Sequence, residues 1–342
     1  MLTFIFEGDN HPLLTRHQTN RGMKKKLRII KNRSDIGAGT RGADMGIDAM
    51  EIAAINAKND FFNRTSFVDV KTHNESIYNM VRNSFAKRIN FVVEQCNRVS
   101  QDVKESIVKY EFPLILSGDH SSALGSISGV KAVFPKTRLG VVWIDAHADL
   151  HTPYTSPSGN VHGMPLAAAL HEDNLELKSN HPEKETLQSW DALKNIGTNA
   201  PKFFPEDLVY FGVRDTEKAE EALMVKNSIK NYSVQEVRFR GIQLCIKEAI
   251  DKLSDCDAIY LSFDVDSLDC DYASYGTGTP VPFGFDPKEA KALITGFLNT
   301  NKVVCAEFTE INPLLDNKRN FMAETAFDIL YHCFGSTQDS DL

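Results

Sequence analysis

Acidic and histidine side chains alternate in one short stretch of the chain, which reads Asp-Ala-His-Ala-Asp from Asp145 to Asp149. Residues two apart in an extended backbone point to the same face, so Asp145, His147 and Asp149 lie side by side. The alanines between them are small enough to let the backbone pack closely. Two carboxylates and an imidazole on one face favour a metal site, with a hydrogen-bonded strand end as the alternative.

Further polar residues of the same types follow apolar runs of strand length. These residues are His120, Asp215, Glu217, Asp264, Asp266 and Glu310, and the runs before them are 113–116, 208–213, 258–263 and 303–308. Ligands bind at the C-terminal ends of the strands in open parallel sheets. We therefore expect these segments to meet the Asp145 stretch at one edge of a sheet.

The chemistry of this set indicates a pair of divalent ions. The candidate metal ligands are His120, Asp145, His147, Asp149, Asp264 and Asp266. Oxygen-rich sets with imidazole and no thiolate suit manganese or a similarly hard ion. Four carboxylates balance two divalent ions in formal charge, and without cations they would repel one another when buried. Paired ions can present hydroxide to an electrophile, so the set predicts hydrolysis.

The elements that must position these residues form a regular alternation. Apolar strand-length runs occupy 27–30, 113–116, 139–144, 208–213, 258–263 and 303–308. Three- and four-residue spacing of apolar residues predicts helices at 76–96, 236–253 and 287–298. Strands alternating with helices predict an α/β fold, in which helices cover both faces of a central parallel sheet.

The length of 342 residues is compatible with a single α/β domain. We expect residues 1–22 to be an N-terminal extension outside the core and residues 23–334 to form one catalytic domain. The polar stretch 171–204 lacks clean periodicity and is predicted to be an insertion. Residues 335–342 are predicted to be a frayed tail.

The charge, apolar segments and cysteines of the chain indicate what it binds and in which cellular compartment it is expected. A formal net charge of −8 disfavours nucleic acid and mildly favours a cationic substrate. No apolar stretch has the length needed to cross a membrane, and the N-terminus lacks the features of a signal peptide. The six cysteines are scattered without a Cys-x-x-Cys pair, which favours a reducing cytoplasm.

Several motifs occur in order along the chain. They are Gly-Asp-His-Ser at 118–121, Asp-Ala-His-Ala-Asp at 145–149, Ser-Gly-Asn-Val-His-Gly at 158–163, Ser-Phe-Asp-Val-Asp-Ser-Leu-Asp at 262–269, Gly-Thr-Gly-Thr-Pro-Val at 276–281 and Glu-Ile-Asn-Pro at 310–313. With these motifs the chain resembles the ureohydrolase superfamily of arginases, agmatinases and formimidoylglutamases over roughly residues 27–334. The 158–163 loop makes it most like the arginases.

The resemblance implies a three-layer arginase-like fold and two Mn²⁺ ions per chain. The implied reaction is hydrolysis of L-arginine to L-ornithine and urea by attack of a metal-bridging hydroxide. By resemblance, the terminal ligands of one ion are His120 and Asp149, those of the other are His147 and Asp266, and the bridging ligands are Asp145 and Asp264.

The resemblance also implies catalytic roles for His162, Glu310 and Asp149. Glu310 is expected to bind the planar guanidinium, for which a carboxylate is a bidentate partner. His162 is expected to shuttle a proton to the departing amine, because an imidazole titrates near neutral pH.

The amino-acid end of the substrate is expected to meet polar loops. The implied contacts are Ser156, Ser158 and Asn160 for the carboxylate, and Asp215 and Glu217 for the α-ammonium, with His151 beside them. Two positions depart from the arginase pattern, which usually has asparagine in place of His151 and aspartate in place of Glu217. Histidine and glutamate can still form hydrogen bonds, but they differ in length from asparagine and aspartate. The sequence therefore leaves more than one possibility for the group at the distal end of the substrate.

Other hypotheses fit the same residues. An agmatinase, guanidinobutyrase or formimidoylglutamase would keep the chemistry with another small guanidino or amidine substrate. A single-zinc deacetylase-like enzyme would use only part of the ligand set, and a non-catalytic protein would bind arginine without turnover. The resemblance further implies a homo-oligomer, either a trimer or a hexamer.

Overall fold

A parallel sheet of eight strands forms the centre of the structure, a computed structural model that describes residues 25–81 and 83–335. In chain order the strands are β1 (Leu27–Asn32), β2 (Ser66–Asp69), β3 (Phe112–Ser117), β4 (Leu139–Ile144), β5 (Leu208–Phe211), β6 (Lys230–Tyr232), β7 (Ala258–Asp264) and β8 (Val303–Thr309). They lie in the order β2-β1-β3-β8-β7-β4-β5-β6. The predicted parallel α/β sheet is therefore confirmed.

Helices cover both faces of this sheet. Within the described ranges they are α1 (Gly46–Asn56), α2 (Phe61–Arg64), α3 (Ile89–Val108), α4 (Ala123–Val133), α5 (Pro165–Leu170), α6 (Lys184–Lys194), α7 (Lys218–Lys226), α8 (Val234–Arg240), α9 (Ile242–Lys252), α10 (Pro287–Leu298) and α11 (Phe321–Phe334). Alternate strand residues enter two separate hydrophobic clusters. In β4, for example, Val142 and Ile144 join one cluster while Val141 and Trp143 join the other. This alternation produces three layers.

Two of the predicted helices need correction, and two strands were missed. The helix predicted at 76–96 lies instead at Ile89–Val108. Arg88 has a left-handed backbone just before its first turn, and the buried apolar spacing continues past residue 96 through Val103. The helix predicted at 236–253 is divided at Gly241, whose φ of 94° ends α8 before α9 begins. The short strands β2 and β6 were not predicted, since each is brief and only partly buried.

The polar stretch 171–204 packs against helices α3 and α5 through α6. Trp190 is 1% exposed and joins the hydrophobic cluster, and its indole Nε1 donates to Asp173 Oδ1 at 2.7 Å. The Lys202 ammonium is also buried and donates to the carbonyl oxygens of Lys194 and Thr198. Assignment of this stretch as an insertion stays a prediction.

The predicted extension 1–22 and residues 336–342 of the predicted tail lie outside the described residues. None of the described helices combines the length and apolar character that crossing a membrane requires.

Substitution of Trp190 tests whether α6 belongs to the cooperative core. We expect Trp190→Ala to lower the free energy of unfolding by about 3–5 kcal/mol, because it removes a large buried side chain and leaves a cavity. Urea denaturation measures the change. Gln188→Ala, at an exposed position of the same helix, is the control and should cost less than about 0.5 kcal/mol. A Trp190→Ala loss as small as that of the control would contradict this assignment.

Candidate active site and metal centre

Four neighbouring strands bring the candidate ligands to one edge of the sheet. The order β3-β8-β7-β4 places the C-terminal ends of these strands side by side. His120 follows β3, Asp145 follows β4, Asp264 ends β7 and Glu310 follows β8. Because every strand is parallel, all four residues reach the same edge.

His120 forms the centre of the first ligand group. Its Nδ1 lies 3.0 Å from Asp145 Oδ2, 3.2 Å from Asp149 Oδ2 and 3.1 Å from Asp264 Oδ2. The other ring nitrogen, Nε2, lies 2.7 Å from Ser262 Oγ. The ring also stacks on Trp143, with centroids 4.1 Å apart and planes 8° apart. These contacts fix the imidazole with Nδ1 toward three carboxylates.

His147 forms the second group with Asp145 and Asp266. Its Nδ1 lies 2.9 Å from Asp266 Oδ2 and 3.5 Å from Asp145 Oδ1. Asp145 therefore offers one oxygen to each group, as a bridging ligand would. Asp266 is held by the backbone N–H of Ala146, which donates at 3.1 Å, and by the hydroxyl of Thr279 at 3.0 Å.

The donor set fits two divalent cations. His120 Nδ1 and Asp145 Oδ2 are both buried and form no hydrogen bond, although they lie only 3.0 Å apart. Burial, together with the charge of Asp145, raises the pKa of Asp149 to about 6. Burial and the neighbouring Asp266 and Asp145 raise the pKa of Asp264 well above its ordinary value. Anions gathered at this cost are stabilised when cations lie between them.

Two residues of the site adopt the left-handed backbone conformation, which residues other than glycine rarely adopt. Asp149 has a φ of 52° and Glu310 a φ of 66°. Such a conformation costs on the order of 1–3 kcal/mol and persists where the surrounding structure enforces it. For Glu310 one such contact is the His120 backbone N–H, which donates to its Oε1 at 2.9 Å. Both residues line the same pocket.

His162 and Glu310 form a pair beside the metal ligands. His162 Nδ1 lies 3.2 Å from Glu310 Oε1. Burial on its own lowers the pKa of His162, but the contact with Glu310 outweighs burial and raises the pKa to about 9. The contact with Glu310 thus favours the protonated form of the imidazole at the wall of the pocket.

A pocket of about 270 Å³ opens above these groups. Its lining includes all the residues predicted to bind substrate, namely Ser156, Ser158, Asn160, His151, Asp215, Glu217 and Glu310. The loop that carries the serines is braced internally. Ser156 Oγ accepts from the Gly159 N–H at 2.9 Å, and Ser158 Oγ accepts from the Asn160 N–H at 3.1 Å.

The two residues that depart from the arginase pattern contact each other. His151 Nε2 lies 2.8 Å from Glu217 Oε2, and its Nδ1 lies 3.3 Å from Thr155 Oγ1. The hydrogen bond to His151 lowers the pKa of Glu217 to about 2. Asp215 stands apart from this pair, with Oδ2 3.7 Å from His147 Nε2. The departures are thus coupled, and each supplies the partner of the other.

Sequence reasoning missed Glu220 and Ser262. Glu220 is 2% exposed and lines the pocket, where it accepts from the Leu150 N–H at 3.0 Å and from the Glu217 N–H at 3.2 Å. Burial raises the pKa of Glu220 to about 8. The spacing Glu217-x-x-Glu220 is that of a capping box and is visible in the sequence. Ser262 begins the motif at 262–269, but its place in an apolar strand gives no sign that its hydroxyl contacts His120.

Comparison with known proteins agrees with this geometry. The Arginase family matches residues 25–335. The chain is 34% identical to an arginase of Bacillus subtilis strain 168 over 92% of this chain and 99% of that protein. An arginase of Brevibacillus brevis is also 34% identical, with the same shares covered. The native structure of arginase from Bacillus caldovelox has a TM-score of 0.77 and 34% identity, covering 91% of this chain and 98% of that chain.

The fold and the paired ligand groups define a ureohydrolase-like α/β protein. The chain belongs to the arginase family. The resemblance and the three-layer fold that were predicted from its motifs are confirmed.

Removal of the Ser262 hydroxyl tests its part in orienting His120. We expect Ser262→Ala to weaken Mn²⁺ binding about 10–100-fold, the usual effect of losing a partner that orients a ligand histidine. Calorimetric titration of metal-free protein measures the affinity, and circular dichroism monitors the fold. Ser100→Ala, at a buried serine of α3, is the control. Equal affinities in the two variants would contradict this role.

The pair of His162 and Glu310 predicts a pH-dependent contribution to stability. Because folding raises the pKa of His162 from 6.5 to about 9, the pair stabilises fully below pH 6.5 and loses its effect as the pH rises through 9. The Tm difference between wild type and His162→Asn should therefore be largest near pH 6 and shrink above pH 9. His332→Asn, at an exposed position of α11, is the control. A His162→Asn difference that stays constant with pH would count against the assignment.

Proposed function

We propose that this chain hydrolyses L-arginine to L-ornithine and urea at a site that holds two manganese ions. The observation that carries the proposal is the pair of ligand groups sharing Asp145, which open into one pocket with Glu310 and His162. The relatives named arginase, which match nearly the whole chain, support the same activity.

The ions would be held by side chains already gathered at the edge of the sheet. One ion is assigned to His120 and Asp149, the other to His147 and Asp266, and Asp145 and Asp264 are assigned to both. Carboxylate and imidazole donors without thiolate favour manganese among the common divalent ions. Such ions supply Lewis acidity and make water acidic enough to act as a nucleophile at neutral pH.

Glu310 is proposed to bind and orient the guanidinium. Its carboxylate lines the pocket and is held from behind by the backbone N–H of His120. A carboxylate matches the planar fork of a guanidinium in both charge and geometry. This contact would place the guanidinium carbon over the ligand groups, and the strained backbone of Glu310 would keep the carboxylate in position.

His162 is proposed to deliver the proton that the departing amine needs. Its Nδ1–H donates to Glu310, and we assign the proton on Nε2 to the leaving nitrogen. When the bond between the guanidinium carbon and that nitrogen breaks, the nitrogen takes this proton, so L-ornithine leaves with urea as the other product. A protonated histidine at neutral pH is suited to this step.

The setting of the enzyme forms part of the proposal. The cysteines Cys96, Cys245, Cys256, Cys270, Cys305 and Cys333 are free thiols, which supports a reducing cytoplasm. The family resemblance supports a trimer or hexamer of this chain. The continuous sheet supports residues 23–334 as one catalytic domain.

A second candidate substrate is agmatine, which lacks the carboxylate of arginine. The specific observation in its favour is the coupling of His151 to Glu217, which changes the amino-acid end of the pocket.

A paired assay tests the proposed activity. Urea release from L-arginine and from agmatine is measured with manganese-loaded protein whose metal content is quantified. We expect a higher kcat/KM for L-arginine and two manganese ions per chain. Glu310→Gln should lower kcat/KM about 10–100-fold, because a charge-assisted contact to the guanidinium is lost. Glu221→Gln, at an exposed position of α7, is the control.

Other outcomes would replace this proposal. A preference for agmatine would refute arginine as the substrate, and a single zinc per chain would favour a deacetylase-like enzyme. Calorimetric binding of L-arginine with no urea produced would favour a non-catalytic binding protein.

A further inference from the structure

Lys87 brings an ammonium group into contact with Asn160, a residue that lines the pocket. Its Nζ donates to Asn160 Oδ1 at 3.2 Å, and its backbone N–H donates to the Gly159 carbonyl oxygen at 2.7 Å. A side chain at Gly159 would lie 2.0 Å from the Ser84 carbonyl oxygen, so the two loops pack in close contact. The position of Lys87 relative to the 156–160 loop is therefore set by the backbone of both loops.

The acidic lining of the pocket suggests why a cation is needed near it. Beyond the metal ligands, the lining carries four acidic residues, Asp215, Glu217, Glu220 and Glu310. Acidic walls favour the guanidinium and the α-ammonium of arginine, but they repel its carboxylate. An amino-acid substrate therefore needs a positive group at the end where its carboxylate lies.

His151 does not supply that group in this chain. Its Nε2 is occupied by Glu217 at 2.8 Å and its Nδ1 by the hydroxyl of Thr155 at 3.3 Å. Both ring nitrogens thus have protein partners, and the charge of the ring is balanced by Glu217. Lys87 instead reaches Asn160, which lines the pocket directly.

Building on the proposed function, we infer that Lys87 is a specificity-determining residue that selects guanidino acids over guanidino amines. It orients the Asn160 amide through the hydrogen bond to Oδ1 and supplies positive charge to the carboxylate end. The substrate class is a guanidinium joined by an aliphatic chain to a distal carboxylate, as in L-arginine. Guanidino amines such as agmatine gain nothing from Lys87.

The test compares ligands with and without the carboxylate. The KM for L-arginine and the inhibition constant of agmatine are measured in wild type, Lys87→Met and Lys87→Arg. We expect Lys87→Met to raise the KM for L-arginine about 10-fold with kcat nearly unchanged, because one partly screened charge is lost. The inhibition constant of agmatine should change less than about twofold, and Lys87→Arg should restore the KM.

Salt and a second lysine provide the controls. Added NaCl should raise the KM for L-arginine more in wild type than in Lys87→Met, because only wild type has this further charge for salt to screen. Lys104→Met, at an exposed position of α3, should behave as wild type, and circular dichroism checks that each variant folds.

Two results would overturn the inference. If Lys87→Met leaves both constants unchanged, the ammonium does not act on the substrate. If it weakens L-arginine and agmatine equally, Lys87 supports the loop and does not discriminate between them. Wild-type protein that releases no urea from L-arginine would instead overturn the proposed function, so the two failures are distinguishable.

Discussion

The central constraint on this structure is that four carboxylates of the site lie close together and buried. Asp145, Asp149, Asp264 and Asp266 are each at most 6% exposed, and burial is the largest factor acting on the pKa of every one of them. Such a cluster is unfavourable unless positive charge offsets it. Divalent cations would supply that positive charge. The repulsion among the four buried carboxylates is therefore also what favours metal binding.

The rest of the fold holds this arrangement in place. A parallel sheet puts the ends of β3, β8, β7 and β4 at one edge, where each strand contributes a short polar segment. Trp143 and Ser262 fix the ring of His120 from two sides, and left-handed backbone at Asp149 and Glu310 turns their carboxylates inward. Rigid elements below and strained loops above together preorganise the site.

The amino-acid end of the pocket follows different constraints. There the chain departs from the arginase pattern at two positions, and the changed side chains, His151 and Glu217, satisfy each other. This contact gives the buried His151 a hydrogen-bond partner and leaves its Nε2 less available to a substrate. Under the proposed function, recognition of the substrate carboxylate would fall to the neighbouring loop, which Lys87 contacts through Asn160.

By itself, the sequence determined the ligand types and their local alignment. Asp145, His147 and Asp149 alternate, and an extended chain repeats every two residues, so no tertiary information was needed. The buried strands could also be predicted from the sequence, because each is an unbroken run of apolar residues. Only the tertiary structure decided that β8 and β7 lie between β3 and β4, and that His151 meets Glu217 across 66 residues. Local periodicity reports which face a side chain takes, whereas contacts between distant segments depend on packing that no single segment encodes.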